Sequence, residues 1–280
     1  MHTIAFLFLL RTFERKLRIK PIFSLNFMQY GICNLAVIPL KADASDVSEQ
    51  TSQLLYGETF EILDWQDRWV KVRTTFDQYE GWISRLQFCM IGHMAYHTLM
   101  QDPAPLTYRP VTQAWKIPDN SVLYLPICSS LVFLTGTTSH ICNEQFQIIG
   151  EIGEVENIVN TAKSFLNTPY LWGGRTHYGI DCSGFTQTVF KLQGIKLNRD
   201  ASLQATQGTL VEALKDIKTG DLAFFENQDG KITHVGLLLG NDEIIHASGK
   251  VKIDQIDSRG IYSSELKRYT HKLSVIRRYF

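Results

Sequence analysis

The chain carries no excess of either charge: Lys plus Arg and Asp plus Glu both number 28, so the formal net charge is zero. That balance removes the broad attraction on which nucleic-acid and anionic-membrane binding depend, and no nucleic-acid partner is expected. Long apolar runs are also missing. Ile4 to Leu10 is only seven residues, far short of the roughly 20 that cross a bilayer, so no stable membrane span is expected. Basic residues (Arg11, Arg15, Lys16, Arg18, Lys20) follow that run instead of preceding it, and no small-x-small site comes after, which is the wrong order for a signal peptide. Residues 1–27 are expected to be a disordered extension, or translation starts at Met28; a tether to the membrane is the weaker alternative.

Cysteine is scarce and unpaired in pattern. Five cysteines is an odd number, and no spacing marks a disulfide framework. Cys33, Cys89, Cys128 and Cys142 read as small buried hydrophobes, and a reducing, cytoplasmic setting is the simpler expectation. Cys128, His140 and Cys142 match no zinc spacing. His93 and His97 stand four apart, but no Glu follows His93 and Gly92 precedes it without a helix start signal, so a zinc-protease motif is excluded. No metal and no cofactor are expected.

With 280 residues the chain has room for two or three small domains. Over 28–88, the runs 35–40, 59–64, 69–73 and 79–83 are short strands broken by turns, the pattern of a small barrel. Over 89–151, prolines 103, 105, 110, 118 and 126 exclude long helices. Strands are expected there at 122–125, 131–134 and 146–149, in a second small barrel of the same kind as the first, the alternative being a β-rich linker packed on its neighbours. The pattern changes from about 152. Val155, Ile158, Val159, Ala162, Phe165 and Leu166 keep the helical period, predicting a helix over 154–167 that Pro169 ends. A helix over 182–193 closes at Gly194, and another short one runs from Arg199-Asp200-Ala201-Ser202 to about Gly208. Strands follow at 221–225, 232–239, 243–246 and 273–277. Helices first and antiparallel strands later define an α+β domain over 152–280.

The chemistry concentrates at Gly179-Ile180-Asp181-Cys182-Ser183-Gly184-Phe185. The glycine-rich stretch before it cannot be helical throughout, so Cys182 falls at the first turn of its helix with Asp181 as N-cap. The dipole and unpaired N–H groups there favour a thiolate and lower the thiol pKa. Downstream, Lys231-Ile232-Thr233-His234-Val235-Gly236 and Glu243-Ile244-Ile245-His246-Ala247-Ser248 read as two strands. A three-residue loop at 240–242 pairs Leu239 with Glu243 and His234 with Ser248. His246 is then a diagonal neighbour of His234 on the same face, at about 7–8 Å between backbones. One imidazole serves as base and the other holds its tautomer. Alone, Cys182 is equally well a buried hydrophobe; the two histidines, together with the order of motifs described next, decide for a nucleophile.

Asp-Cys-Ser-Gly-Phe, then Gly220-Asp221-Leu222-Ala223-Phe224-Phe225, then His-Val-Gly-Leu-Leu-Leu-Gly, then Ile-His-Ala-Ser, in that order, resemble the NlpC family of bacterial cell-wall cysteine peptidases over about residues 152–280. The resemblance implies a papain-like fold, with Cys182 as nucleophile, His234 as base and His246 as the third polar residue. Leu-Tyr-Gly-Glu, Trp-Val-Lys-Val and Gly-Trp-Ile in 28–88 resemble bacterial SH3-like domains, which accompany this catalytic domain and help to shape its substrate site.

Acyl transfer follows from the residues: thiol attack on a carbonyl, then hydrolysis of a thioester. The oxyanion is expected on the backbone N–H of Cys182, helped by Tyr170. The resemblance narrows the substrate to peptidoglycan-derived peptides, cut between D-glutamate and a diamino acid (meso-diaminopimelate or lysine), with a free N-terminal L-alanine, in murein peptide recycling. Candidates for holding that ammonium are Asp181, Ser183, Ser202 and, from the first barrel, Glu80. Each has a plainer role: Asp181 as helix cap, Glu80 as a solvated turn residue. Trp172 is expected as a wall of the cleft and Arg199 in a structural ion pair. The rivals are an amidase or acyltransferase with the same machinery, and a non-catalytic wall-binding module.

Overall fold

The structure, a computed structural model, describes residues 29–150, 156–240 and 242–280. The expectations for 1–27 and for residues 154 and 155 of the first expected helix lie outside these residues.

Seven short strands form the first unit: β1 (Gln29–Ile32), β2 (Val37–Lys41), β3 (Gln50–Leu55), β4 (Thr59–Trp65), β5 (Trp69–Thr74), β6 (Glu80–Ser84) and β7 (Cys89–Ile91), in the order β3-β2-β6-β5-β4-β1-β7. Period-two alternation turns Val70 and Val72 of β5 inward, against Ile38, Leu40, Leu54, Phe60 and Ile83. Full burial of each such side chain contributes about 1.5–3 kcal/mol.

Helix α1 (His93–Gln101) follows directly, where no helix was expected. Its start has no side-chain cap; burial of Tyr96 and its stacking on Tyr30 of β1 hold it instead. β8 (Val111–Ile117), β9 (Val122–Pro126), β10 (Thr138–Ile141) and β11 (Glu144–Ile149) then form a second sheet, ordered β10-β11-β8-β9. The strand expected at 131–134 is a turn: Phe133 has φ 46°, and Leu131 and Val132 fill the core as loop residues. Cys89 and Cys142 are joined by a disulfide. This corrects their reading as buried hydrophobes, and with it the argument from cysteine count for a reducing compartment. Their 53-residue separation leaves no sequence signal; β7 and the β10–β11 turn bring them together.

The third unit holds α2 (Ile158–Lys163), the two-residue strands β12 (Arg175–Thr176) and β13 (Gly179–Ile180), α3 (Cys182–Leu192), α4 (Ala201–Gln204) and β14 (Thr209–Leu210). Helix α2 is shorter than expected at both ends: Asn157 caps its start, its side chain accepting from Asn160 N, and residues 164–167 continue only as turns before Asn167 leaves helical geometry at φ 70°. Strands β15 (Leu222–Glu226), β16 (Ile232–Leu238), β17 (Glu243–Ser248), β18 (Lys250–Asp257), β19 (Gly260–Ser263) and β20 (Arg268–Arg278) follow. They run β20-β15-β16-β17-β18-β19, and β19 pairs back with β20, so this sheet closes into a barrel. The closure was not foreseen, because β18 and β19 were not recognised as strands. Alternate residues serve two cores. Ala223, Phe225, Leu238, Ile244 and Ile261 fill one; Leu222, Phe224, Val235, Leu237 and Ile245 pack with Phe185, Val189 and Phe190 of α3 in the other.

A buried ion cluster ties the first unit to the third. Glu58, at the β3–β4 turn, accepts from Arg175 Nη1 and Nη2 (2.8 and 2.9 Å) and from Lys191 Nζ (2.6 Å). Burial alone would raise the Glu58 pKa; Arg175 and then Lys191 more than offset this and hold it at about 2. Removing one partner of a buried pair costs about 3–5 kcal/mol, so Glu58→Gln is expected to lower unfolding free energy by that order at pH 7. A depressed carboxyl pKa contributes stability that is fully present above the unfolded value of about 4.3 and is lost as pH falls toward the folded value. The gap between wild type and variant in urea titrations should therefore shrink as pH falls from 4 towards 2. An unchanged midpoint at pH 7 would show that the cluster does not hold the units together.

Candidate active site

Asp181 is the N-cap of α3, as its position predicted. Its Oδ1 accepts from Gly184 N at 2.6 Å, and its Oδ2 accepts from Gly173 N at 2.8 Å. Arg199 closes on the same carboxylate with both terminal nitrogens, at 3.0 and 2.5 Å, and reaches the hydroxyls of Ser183 and Ser52. Both oxygens are thus engaged in a buried pair. Asp181 acts as cap and ion-pair partner, and Arg199 takes the structural role expected of it.

Cys182 opens α3, which packs on β16 and β17. Its sulfur is reached by the backbone of Val235, the residue after His234. The expected lowering of the thiol pKa is not found. Burial, followed by the neighbouring Asp181 carboxylate, pushes it up to about 12, beyond what the backbone groups of Val235 and Ser183 and the charge of Arg199 recover. Burial outweighs the helix terminus, and the carboxylate of the cap adds to it.

The hairpin has the predicted register: Leu239 N donates to Glu243 O, and Gly236 pairs with His246. A Cβ on Gly236 would stand 2.9 Å from that of His246, so glycine here lets the facing histidine lie over β16. His234 Nε2 and His246 Nδ1 are 2.9 Å apart, and His246 Nε2 is 3.1 Å from Asp254 Oδ2. Asp254 was missed. It lies on β18, diagonal to His246, because Ile244 pairs with Asp254 and His246 with Lys252. Burial would raise the Asp254 pKa, but His246 and Lys252 bring it below the usual carboxylate value.

An ionised carboxylate only accepts hydrogen bonds. His246 Nε2 must therefore donate to Asp254, leaving His246 Nδ1 as an acceptor. His234 Nε2 then donates to it, and His234 Nδ1 is left with a lone pair. Burial, and for His234 the adjacent His246 and His271, keeps both imidazoles below their ordinary pKa and neutral at pH 7. A neutral thiol thus shares the site with a neutral base whose free nitrogen is set by a carboxylate two residues removed.

Tyr170 belongs to this site: burial and then Cys182 and Asp181 raise its hydroxyl pKa. Ser183 is buried between Arg199 and Asp181, whereas Ser202 is exposed on α4. Trp172 is 58% exposed, which suits a cleft wall, and its Nε1 donates to Glu49 Oε1 of the first unit at 2.5 Å. Gln50 Nε2 donates to the Trp172 carbonyl at 3.2 Å, and Gln53 Oε1 accepts from Arg175 N at 2.8 Å. The two segments touch so closely that a Cβ on Gly173 (φ 73°) would stand 2.5 Å from Gln50 O. Glu80 is not brought to the site. It lies exposed on β6 of the first unit, paired with Lys71 and Arg73. Glu49 is the barrel acid at the cleft, and Tyr79 hydrogen-bonds Asp200 across the same junction.

A cysteine at a helix N-terminus, facing an oriented imidazole on an antiparallel barrel, defines a cysteine-type hydrolase of papain-like build. Residues 167–270 match the NlpC/P60 family, and residues 42–87 match the bacterial dipeptidyl-peptidase Sh3 domain. The chain is 32% identical over 237 residues to a gamma-D-glutamyl-L-lysine dipeptidyl-peptidase of Bacillus subtilis (strain 168), covering 77% of this chain and 78% of that one. It is 28% identical over 247 residues to dipeptidyl-peptidase 6 of Lysinibacillus sphaericus, covering 76% and 86%. A crystal structure of an NlpC/P60 family protein from Bacillus cereus ATCC 10987 shares the fold, with a TM-score of 0.71 at 19% identity over 89% of this chain and 99% of the other. The chain belongs to the NlpC/P60 family and is a cysteine peptidase. Among the described residues, no helix is long and apolar enough to cross a membrane.

Asp254→Asn tests the proton order. The amide can donate to His246 Nε2, which reverses both tautomers and leaves His234 Nδ1 protonated. We expect kcat to fall on the order of 10²–10⁴-fold with the fold intact by circular dichroism. His246→Gln should keep more activity than His234→Asn, since an amide still orients the base. Full kcat in Asp254→Asn would overturn the assignment.

Proposed function

We propose that the enzyme hydrolyses the γ-D-glutamyl-L-diamino-acid bond of peptidoglycan-derived peptides that carry a free N-terminal L-alanine. The observation that carries this is Glu49. It is an exposed acid of the SH3-like unit that hydrogen-bonds the cleft tryptophan and has no ion-pair partner among the described residues. Such a carboxylate can take a substrate ammonium by charge-assisted hydrogen bonds. The named relatives, which are gamma-D-glutamyl-L-lysine and related dipeptidyl-peptidases, support the bond and the substrate class.

In this reading His234 Nδ1 takes the proton of Cys182 as the sulfur attacks the γ-carbonyl carbon of D-glutamate. Charge builds on the carbonyl oxygen beside the N-terminus of α3, where the Cys182 N–H stabilises it. His234 gives its proton to the departing diamino-acid amine, leaving a thioester. Water, deprotonated by the same nitrogen, then releases the L-Ala-γ-D-Glu dipeptide.

Soluble wall fragments are the substrate of choice here, since alanine in intact wall is amide-linked to sugar and offers no ammonium. The compartment we infer is one that preserves the Cys89–Cys142 bond, a bond rare in reducing cytosol. The test is L-Ala-γ-D-Glu with L-lysine or meso-diaminopimelate, with products read by mass. Blocking the amine leaves an acid unpaired, and such groups discriminate by about 10²–10⁴-fold. N-acetylation should cost that much in kcat/KM. Glu49→Gln should weaken the preference, and Glu80→Gln should leave it unchanged. Efficient cleavage of acetylated peptide or of whole sacculi would instead indicate a wall-remodelling hydrolase.

A further inference from the structure

We propose that His234, His246 and His271 form an inhibitory site for a zinc-class divalent ion, which switches the peptidase off by taking the nitrogen that sets the base. His271, on β20, has no part in the proton order derived above. Its ring stacks on His234, with centroids 4.1 Å apart and planes 24° apart. One ring nitrogen from each of the three histidines lies within 4.8 Å of the others. A trio of imidazoles suits Zn²⁺, which binds such nitrogens at about 2.0–2.1 Å, and does not suit Ca²⁺ or Mg²⁺, which take oxygen.

The second sphere is already built. His246 Nε2 is held by Asp254, the carboxylate–histidine arrangement that orients metal-bound imidazoles. His246 therefore presents the Nδ1 lone pair without changing tautomer. His234 Nε2, 2.9 Å away, is the second ligand. Tetrahedral coordination sets nitrogens roughly 3.4 Å apart, so His271 must swing inward. Its ring is only half-buried, and to swing it has to leave the stack on His234 and the contact of its Nδ1 with Thr270 Oγ1 at 2.8 Å. The fourth position is left to water.

The chemical consequence follows from proton balance. A metal on His234 Nε2 needs the lone pair of that nitrogen, so the single N–H of the neutral ring moves to Nδ1. No proton is gained or lost by the ring. Nδ1 is the nitrogen that has to accept from Cys182, and it is now a donor beside a dication. The base is blocked without the metal touching sulfur. This differs from simple chelation by the cysteine and its histidine, in which Cys182 would be a ligand.

Zinc binding to the full chain is measured by titration calorimetry and by competition with a chromophoric chelator, with Co²⁺ as spectroscopic probe. One ion per chain is expected, and Cys182→Ala should bind it with affinity within about threefold of wild type, as sulfur is not a ligand. His271→Phe keeps a flat ring on His234 but removes the nitrogen, and should weaken binding at least about tenfold. Asp254→Asn should weaken it by about 10–100-fold, as loss of an orienting partner does. The Co²⁺ spectrum of the unaltered protein should lack sulfur-to-metal charge transfer, which decides the matter even if a variant folds poorly. Loss of binding in Cys182→Ala, a thiolate band with Co²⁺, unchanged affinity in His271→Phe, or no saturable binding at all would overturn the proposal. None of these readouts depends on which wall peptide the enzyme cuts.

Discussion

The buried pair of Arg199 with Asp181 is the contact on which the active site depends. One carboxylate caps the nucleophile helix, holds the N–H of Gly173 in the loop before it, and is closed by a guanidinium that also reaches Ser52 of the SH3-like unit. Helix start, glycine loop and barrel are fixed by the same few hydrogen bonds. The arrangement has a chemical cost. An anion beside the sulfur opposes thiolate formation, and burial opposes it further. Burial and the anionic cap both push the Cys182 thiol pKa up. Proton transfer must then be driven by the oriented base and by charge stabilisation at the carbonyl, both of which act only when substrate is present.

That makes the orientation of the base the second constraint. In a row of two imidazoles, either ring could donate to the other, and the choice decides whether His234 offers a lone pair or a proton to Cys182. Nothing within the pair makes the choice. Asp254 does, because an ionised carboxylate can only accept, and the decision passes through His246 to His234. A histidine in the orienting position therefore requires a further residue that an amide in the same place would not need.

The parts of this site that were legible in the sequence are those governed by local rules. Asp181 before an apolar period and Gly194 after it bound the cysteine helix closely. The loop at 240–242 fixed the register of the hairpin, and register alone put His246 on the same face as His234. What escaped depended on strands without an obvious apolar signature. In Lys250-Val251-Lys252-Ile253-Asp254-Gln255-Ile256-Asp257 the apolar alternation of Val251 and Ile253 breaks at Asp254-Gln255, so the segment resembles a solvated loop, and Asp254 went unrecognised with it. Leu131 to Leu134 failed in the opposite direction: an apolar run of strand-like composition is a turn that fills a core. Cys89 and Cys142 pair through tertiary contact alone.

The choice between Glu80 and Glu49 shows the same limit where it matters most for specificity. Both are acids of the barrel, and composition cannot rank them. Register can: Glu80 begins β6 and points to Lys71 and Arg73 on the neighbouring strand, so its charge is neutralised within the barrel. Glu49 precedes β3, the edge strand of the sheet, whose free side lies along the loop that leads to Cys182. An edge strand has backbone and side chains left over for a partner. Here that partner is the catalytic unit itself, through Gln50 on Trp172, Gln53 on Arg175 and the close approach at Gly173. The SH3-like unit thus meets the loop before Cys182 through the edge strand of its sheet, and the acid at that junction, Glu49, stands at the end of that strand.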